Sequence, residues 1–350
     1  MSKKYAGQLS WKESSGISSI PVMQIRHRSV VMYYELLNHS SRRNNKKTFQ
    51  WHSKNLNKTA YSGTVTVGVR KRMTKALNVM LQTLQPKWIT NPVSNKLQYH
   101  KLSFLTLKIS HCKQVTGRQA YDLCLNHFLD WLTRTKGVEQ YVWKLEPQED
   151  SQIHYHITTP AFIHWQEIKD KWNELQRKAG FLDDYAKEHG HYHANSTDIH
   201  EVIGITDLAS YMVKAFADSL KEAEKRKKKE TGRDISAEMG KDIKEVESTD
   251  GKIWGCSELL SAAHYVSYHM NSRHLEMLEQ LKNEKRVREV ADPNGRWCVW
   301  YFADCSPPEI MSDAEQLYVK MYLKWQMKFP GKSCAPQELI DWANKKPFLN

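Results

Sequence analysis

Ile153-His154-Tyr155-His156-Ile157 alternates apolar or aromatic residues with imidazoles. Successive residues of a β-strand project to opposite faces, so Ile153, Tyr155 and Ile157 share one side and His154 and His156 the other. The run predicts a strand with one side in a hydrophobic layer and two adjacent imidazoles on the reverse. Residues 140–145 (QYVWKL) read as a preceding strand, and the polar residues 146–152 suit a hairpin loop between the two.

Further out, residues 102–110 (LSFLTLKIS) alternate and predict another strand. Residues 117–134 place Ala120, Cys124, Phe128 and Trp131 on one helical stripe. Residues 164–179 do the same with Trp165, Ile168, Trp172 and Leu175, and Gly180 supplies a C-terminal stop. Residues 196–203 (STDIHEVI) read as a strand, and Thr206 can cap a helix from 207 to about 221. The order strand, helix, strand, strand, helix, strand, helix predicts an α+β fold, an antiparallel sheet with helices packed on it.

The flanks divide as 1–95, a basic N-terminal arm and helix, then the core at 96–220, a charged linker or helix at 221–251, and a mainly helical C-terminal region at 252–350. Residues 1–60 are polar and basic and read as a loosely ordered arm. Residues 65–85 read as a helix led by Arg70, Lys71, Arg72 and Lys75, broken by Pro86 and Pro92. The run 225–229 (KRKKK) reads as a solvated face. Within 252–350, Tyr265 and Tyr268 are placed in an aromatic helix and residues 297–302 (WCVWYF) in a strand.

Composition narrows the function classes. Lys plus Arg number 52 against 39 Asp plus Glu, a net charge of +13, which favours an anionic partner and nucleic acid foremost. The six Cys form no C-x-x-C pair, which speaks against a disulfide framework or zinc ribbon and for a reducing, cytoplasmic setting. No apolar run approaches the ~20 residues of a membrane span. The N-terminus has no apolar signal core.

Two imidazoles on one strand face are natural ligands of a divalent ion. Glu146 lies eight residues before His154, and a hairpin can return its carboxylate to the pair. Glu149, Asp150 and Gln152 are alternatives in the same loop. A cation held there would act as a Lewis acid on a phosphodiester. A rival pair, His191-Tyr192-His193, has His189 and His200 nearby but sits in a polar loop after Gly190. Tyr211 and Lys214 are three apart and share a helix face. A phenol has an unperturbed pKa of ~10, so attack by Tyr211 needs a polarised phosphate and a neighbouring ammonium. The bland alternatives are two half-exposed strand histidines and an amphipathic helix with its tyrosine packed.

Taken in order, the strand around Phe104-Leu105-Thr106-Leu107, then Glu146, His154-Tyr155-His156 and Tyr211-x-x-Lys214 resemble the HUH endonucleases. The match is to their Rep branch, the single-tyrosine rolling-circle replication initiators of plasmids and small DNA viruses. The resemblance covers about residues 100–220. Trp254-Gly255-Cys256-Ser257 also resembles an element of some bacterial initiators. It implies an RRM-like or ferredoxin-like core with His154, His156 and Glu146 holding Mg²⁺ or Mn²⁺. It further implies that Tyr211, assisted by Lys214, nicks single-stranded origin DNA and becomes a 5′-phosphotyrosine. Hairpin or duplex origin DNA would be the recognised partner, with a host helicase and polymerase completing replication. Tyr155 departs from the aliphatic residue usual at its position.

Other classes are distinguishable. A non-catalytic RRM-like nucleic-acid-binding protein would use sheet aromatics, with the histidines incidental. A single-tyrosine transposase of the same superfamily would be shorter. A histidine-triad hydrolase would want a third alternating histidine where Thr158 stands. No P-loop is present, since Gln326 occupies the first glycine position ahead of Gly331-Lys332-Ser333. Oligomeric state is left open by the sequence.

Overall fold

The computed structural model describes residues 19–36, 67–85, 87–90, 95–110, 115–147, 153–201, 251–293, 297–303 and 307–329. The chain divides into two compact units, one of residues 1–58, 81–83 and 262–350, the other of residues 59–80 and 84–261. Both are mixed α+β with antiparallel sheets. Among the described residues no helix is long and apolar enough to cross a membrane.

The second unit carries the strands read first. They are β3 (Lys87–Thr90), β4 (Leu97–His100), β5 (Ser103–Lys108), β6 (Val142–Pro147), β7 (Ile153–Thr159), β8 (Thr197–Glu201) and β9 (Trp254–Cys256). β3 and β4 form a separate hairpin, and the others form one sheet in the order β8-β5-β7-β6-β9. A helix over residues 117–135 and the helix Trp165–Lys178 share a core with one face of that sheet. Ile153, Tyr155 and Ile157 enter this core beside Phe128 and Trp172, as the alternation requires. Trp172 Nε1 donates to the Lys108 carbonyl at 2.8 Å, which satisfies its one polar atom inside the layer.

Local signals set the ends of these helices. Thr116 and Gln119 form a capping box ahead of residue 117, and Gly180 takes φ +76 after the helix that begins at Trp165. The helix expected from Thr206 to about residue 221 lies outside the described residues.

The first unit differs from the expected arm. Residues 19–36 form β1 (Ser19–Ile25) and β2 (Ser29–Leu36), which join β10 (Val266–His269), β11 (Val287–Ala291) and β12 (Trp297–Phe302) in the order β10-β1-β2-β12-β11. The basic, polar flanks mask two short strands whose partners lie more than two hundred residues away. The expected strand at 297–302 is present, and the C-terminal helices Ser272–Asn283 and Asp313–Lys328 accompany it. Tyr268 lies on β10, not in a helix, and Tyr265 immediately precedes that strand. Its flanking β-branched and aromatic residues pair with β1, where a two-residue period wins over the helical one.

Candidate functional site

The register of three strands assembles the site. Glu146 on β6 stands directly opposite His154 on β7, and Lys144 stands opposite His156. On the other side of β7, Thr106 of β5 pairs with His156 and Lys108 with His154. Cross-strand partners share a face, so these side chains occupy the side of the sheet away from the helical core. Tyr155, between the two histidines, points into that core and is fully buried, and burial holds its phenol above the ordinary tyrosine range. It is thereby unsuited to act as the nucleophile.

Geometry brings Glu146 to His156, with 2.7 Å between the carboxylate and Nε2. The same carboxylate oxygen is 3.2 Å from Lys144 Nζ. Thr106 Oγ1 is 3.1 Å from His156 Nδ1, and Phe104 stacks on the imidazole with ring centroids 5.2 Å apart. The neutral ring satisfies both polar contacts when Nε2 carries the proton and Nδ1 accepts from the Thr106 hydroxyl. A hydroxyl can also accept, so the tautomer can reverse and expose the Nε2 lone pair without breaking the Thr106 contact.

The electrostatics follow from these contacts. The hydrogen bond from His156, then the charge of Lys144, hold the Glu146 carboxyl down at about 2, against the opposing effect of partial burial. Burial pushes the Lys144 ammonium below the usual lysine range, more than the adjacent carboxylate pulls it back. His154 and His156 are both buried, at 3% and 8% exposure.

Two imidazoles and a carboxylate suit Mg²⁺ or Mn²⁺ in donor type, and Thr106 is placed to orient one ring from behind. The donors as they stand are closed by hydrogen bonds. Among the described residues no group of three or more His, Cys, Asp or Glu has a metal-holding arrangement. Opening the Glu146–His156 contact is therefore part of any metal binding here.

Residues 102–220 match the family of replication-associated proteins described as ORF2 and gene 2 protein. This Rep-type segment begins at the strand bearing Phe104 and Thr106 and includes Glu146, His154 and His156. The match supports a replication-initiator role. No curated protein and no solved structure matches the chain.

The remaining expected residues fall as follows. Tyr211 and Lys214 belong to the Rep segment by sequence but lie outside the described residues, as do Glu149, Asp150 and Gln152. His191 and His193 are exposed, with ring centroids 5.8 Å apart, and the His193 backbone N–H donates to His191 Nδ1 at 3.2 Å. His189 lies 6.3 Å from His191 between ring centroids, and His200 stands opposite Phe104 in the β5–β8 register. The rival pair is thus not joined to the Glu146 cluster in the described contacts.

Sequence reasoning missed Lys144 as a site residue. The signal was available: a lysine two residues before Glu146 on an alternating strand must share its face. Trp254-Gly255-Cys256 proves to be β9, the strand beside β6, with Gly255 opposite Trp143. A Cβ on Gly255 would lie 2.6 Å from Trp143 Nε1, so close packing of the strand on the indole requires glycine there.

Proposed function

We propose that the protein is a replication initiator that nicks single-stranded origin DNA through Tyr211. The observation that carries this reading is the meeting of Glu146 with the His154/His156 strand inside a segment of the Rep family. Glu146, His154 and His156 would hold a divalent cation, Mg²⁺ or Mn²⁺. When bound, it would supply Lewis-acid polarisation of the scissile phosphate.

Each residue then has a defined task. Glu146 is kept ionised across the working pH range by its two neighbours. Thr106 and Phe104 hold the His156 ring from its far nitrogen and its face. Lys144 adds a positive charge that suits a phosphate oxygen as well as it suits Glu146. The Tyr211 oxygen attacks phosphorus, the bond to the 3′ oxygen breaks, and the phenol proton leaves to solvent. Lys214, one turn further on the expected helix, would stabilise the developing charge.

The products are a 5′-phosphotyrosine and a free 3′-OH that a host polymerase can extend. Because the phosphodiester is exchanged and not hydrolysed, attack by a later 3′-OH reseals the strand without ATP. Unwinding would fall to a host helicase, and recognition to a hairpin or duplex beside the unpaired site.

The test incubates the full chain with a labelled single-stranded origin oligonucleotide and Mn²⁺, followed by denaturing electrophoresis and peptide mapping. A covalent adduct on Tyr211, lost in Tyr211→Phe, is expected. An adduct elsewhere, or cleavage without one, overturns the assignment. A second reading, a non-catalytic nucleic-acid-binding sheet, is favoured by the internal satisfaction of Glu146 by His156 and Lys144. Binding of the oligonucleotide with no cleavage under any divalent ion would select it.

A further inference from the structure

Immediately before the Rep-matched segment, β3 and β4 form a two-stranded antiparallel hairpin. Its register puts Trp88 opposite Tyr99 and Thr90 opposite Leu97, all on one face. Leu97 at 69% and Trp88 at 66% are the most exposed large apolar side chains among the described residues, and Tyr99 is 44% exposed. The rings of Trp88 and Tyr99 lie 5.3 Å apart at an angle of 56°. Pairing across the strands accounts for one side of each ring and leaves the rest of their surface to solvent. Exposed aromatics grouped in this way mark a contact surface more than a fold requirement.

The charges beside the rings are of one sign. Lys87 and Lys96 are exposed, and Lys101 Nζ lies 5.7 Å from the centre of the Tyr99 ring. From Leu36 to Tyr121 the sequence contains sixteen Lys and Arg and no Asp or Glu, so no carboxylate of its own stretch neutralises the hairpin. Its base is fixed. His100 is 2% exposed, packs edge-on against Phe162 at 5.5 Å, and sits 3.5 Å from Ser103 Oγ at the start of β5. Tyr99 is only five residues from Phe104, at most about 18 Å of chain.

We infer that this hairpin is a binding element for single-stranded DNA, with bases stacking on Trp88 and Tyr99 and phosphates meeting Lys87, Lys96 and Lys101. The inference rests on the proposed DNA substrate and adds a contact outside the matched segment. Flat, exposed rings accept any base, and flanking ammonium groups follow a phosphate backbone, so the element contributes affinity with little sequence preference. Its attachment to β5 delivers the captured strand beside the Glu146–His156 cluster.

The test measures Kd of the full chain for a fluorescent single-stranded oligonucleotide by anisotropy across a salt series. Trp88→Ala should raise Kd at least about fivefold, the lower end for loss of one stacked base, whereas Trp88→Phe should stay within about twofold. Replacing Lys87, Lys96 and Lys101 together by Gln should flatten the salt slope by about two, at roughly 0.7 per lost contact on a single strand. A Trp88→Ala/Tyr99→Ala variant that binds like the wild type overturns the inference. So does loss of self-association in that variant with unchanged DNA affinity, which would make the hairpin a contact between copies. Cleavage at saturating DNA separates the two readings. Weakened binding with normal saturated cleavage supports both, while weakened binding in a protein that never cleaves supports the hairpin and sinks the nuclease.

Discussion

Replacing Glu146 by Gln should destabilise the protein in a way that reports the charge arrangement at the site independently of catalysis. The carboxyl is held at about 2 against an ordinary 4.5. Each pKa unit is worth about 1.4 kcal/mol, so the full shift corresponds to about 3 kcal/mol. The side chain is about one-third exposed, at 34%, and solvent screening reduces this to about 1–2 kcal/mol. Lys144 adds to the cost, because its ammonium is 2% exposed and would lose the carboxylate 3.2 Å away. We expect a total loss of about 2–4 kcal/mol in urea denaturation at pH 7, with most of it recovered in Lys144→Met/Glu146→Gln.

The pH dependence carries its own sign. The folded carboxyl pKa is lower than the unfolded one, so its stabilisation is fully present above about 4.5 and is lost as the pH falls toward about 2. The gap between wild type and Glu146→Gln should therefore close across that window. A single mutant within about 0.5 kcal/mol of wild type at pH 7, or a double mutant no better than the single one, would refute the coupling of Lys144, Glu146 and His156.

Other outcomes follow from the same geometry. His154→Ala and His156→Ala should each abolish Mn²⁺-supported nicking while leaving Kd for single-stranded DNA within about twofold, and full nicking by either variant defeats the metal assignment. Chelation of divalent ions should stop nicking in the wild type, and Mn²⁺ or Mg²⁺ should restore it, both visible on a denaturing gel. Gly255→Ala should lower stability by about 1–3 kcal/mol through overpacking against Trp143, read as a shifted denaturation midpoint, and an unshifted midpoint would show that the β9–β6 contact can yield.

Much of the second unit was legible because its signals are local. The alternation at 153–157, the helical stripes of 117–134 and 164–179, and the stop at Gly180 each depend on residues within a turn or a strand of one another. Glu146 was legible for the same reason, since a hairpin returns it to His154 within eight residues. The strands of residues 19–36 were not, because their pairing partners at 266–269 and 297–302 are remote in sequence and the intervening chain carries no trace of the register.

The sequence by itself determined which side chains share a face, because side-chain alternation is a property of the strand and needs no partner. It also named the chemistry of the cluster, two imidazoles and a carboxylate. Only tertiary structure decided that Lys144 and Thr106 complete the cluster, that His156 is pinned between a hydroxyl and a carboxylate, and that β9 lies beside β6 with its glycine against Trp143. Those facts depend on register between strands, which is set by hydrogen bonds and packing across the sheet and is written in no single segment of the chain.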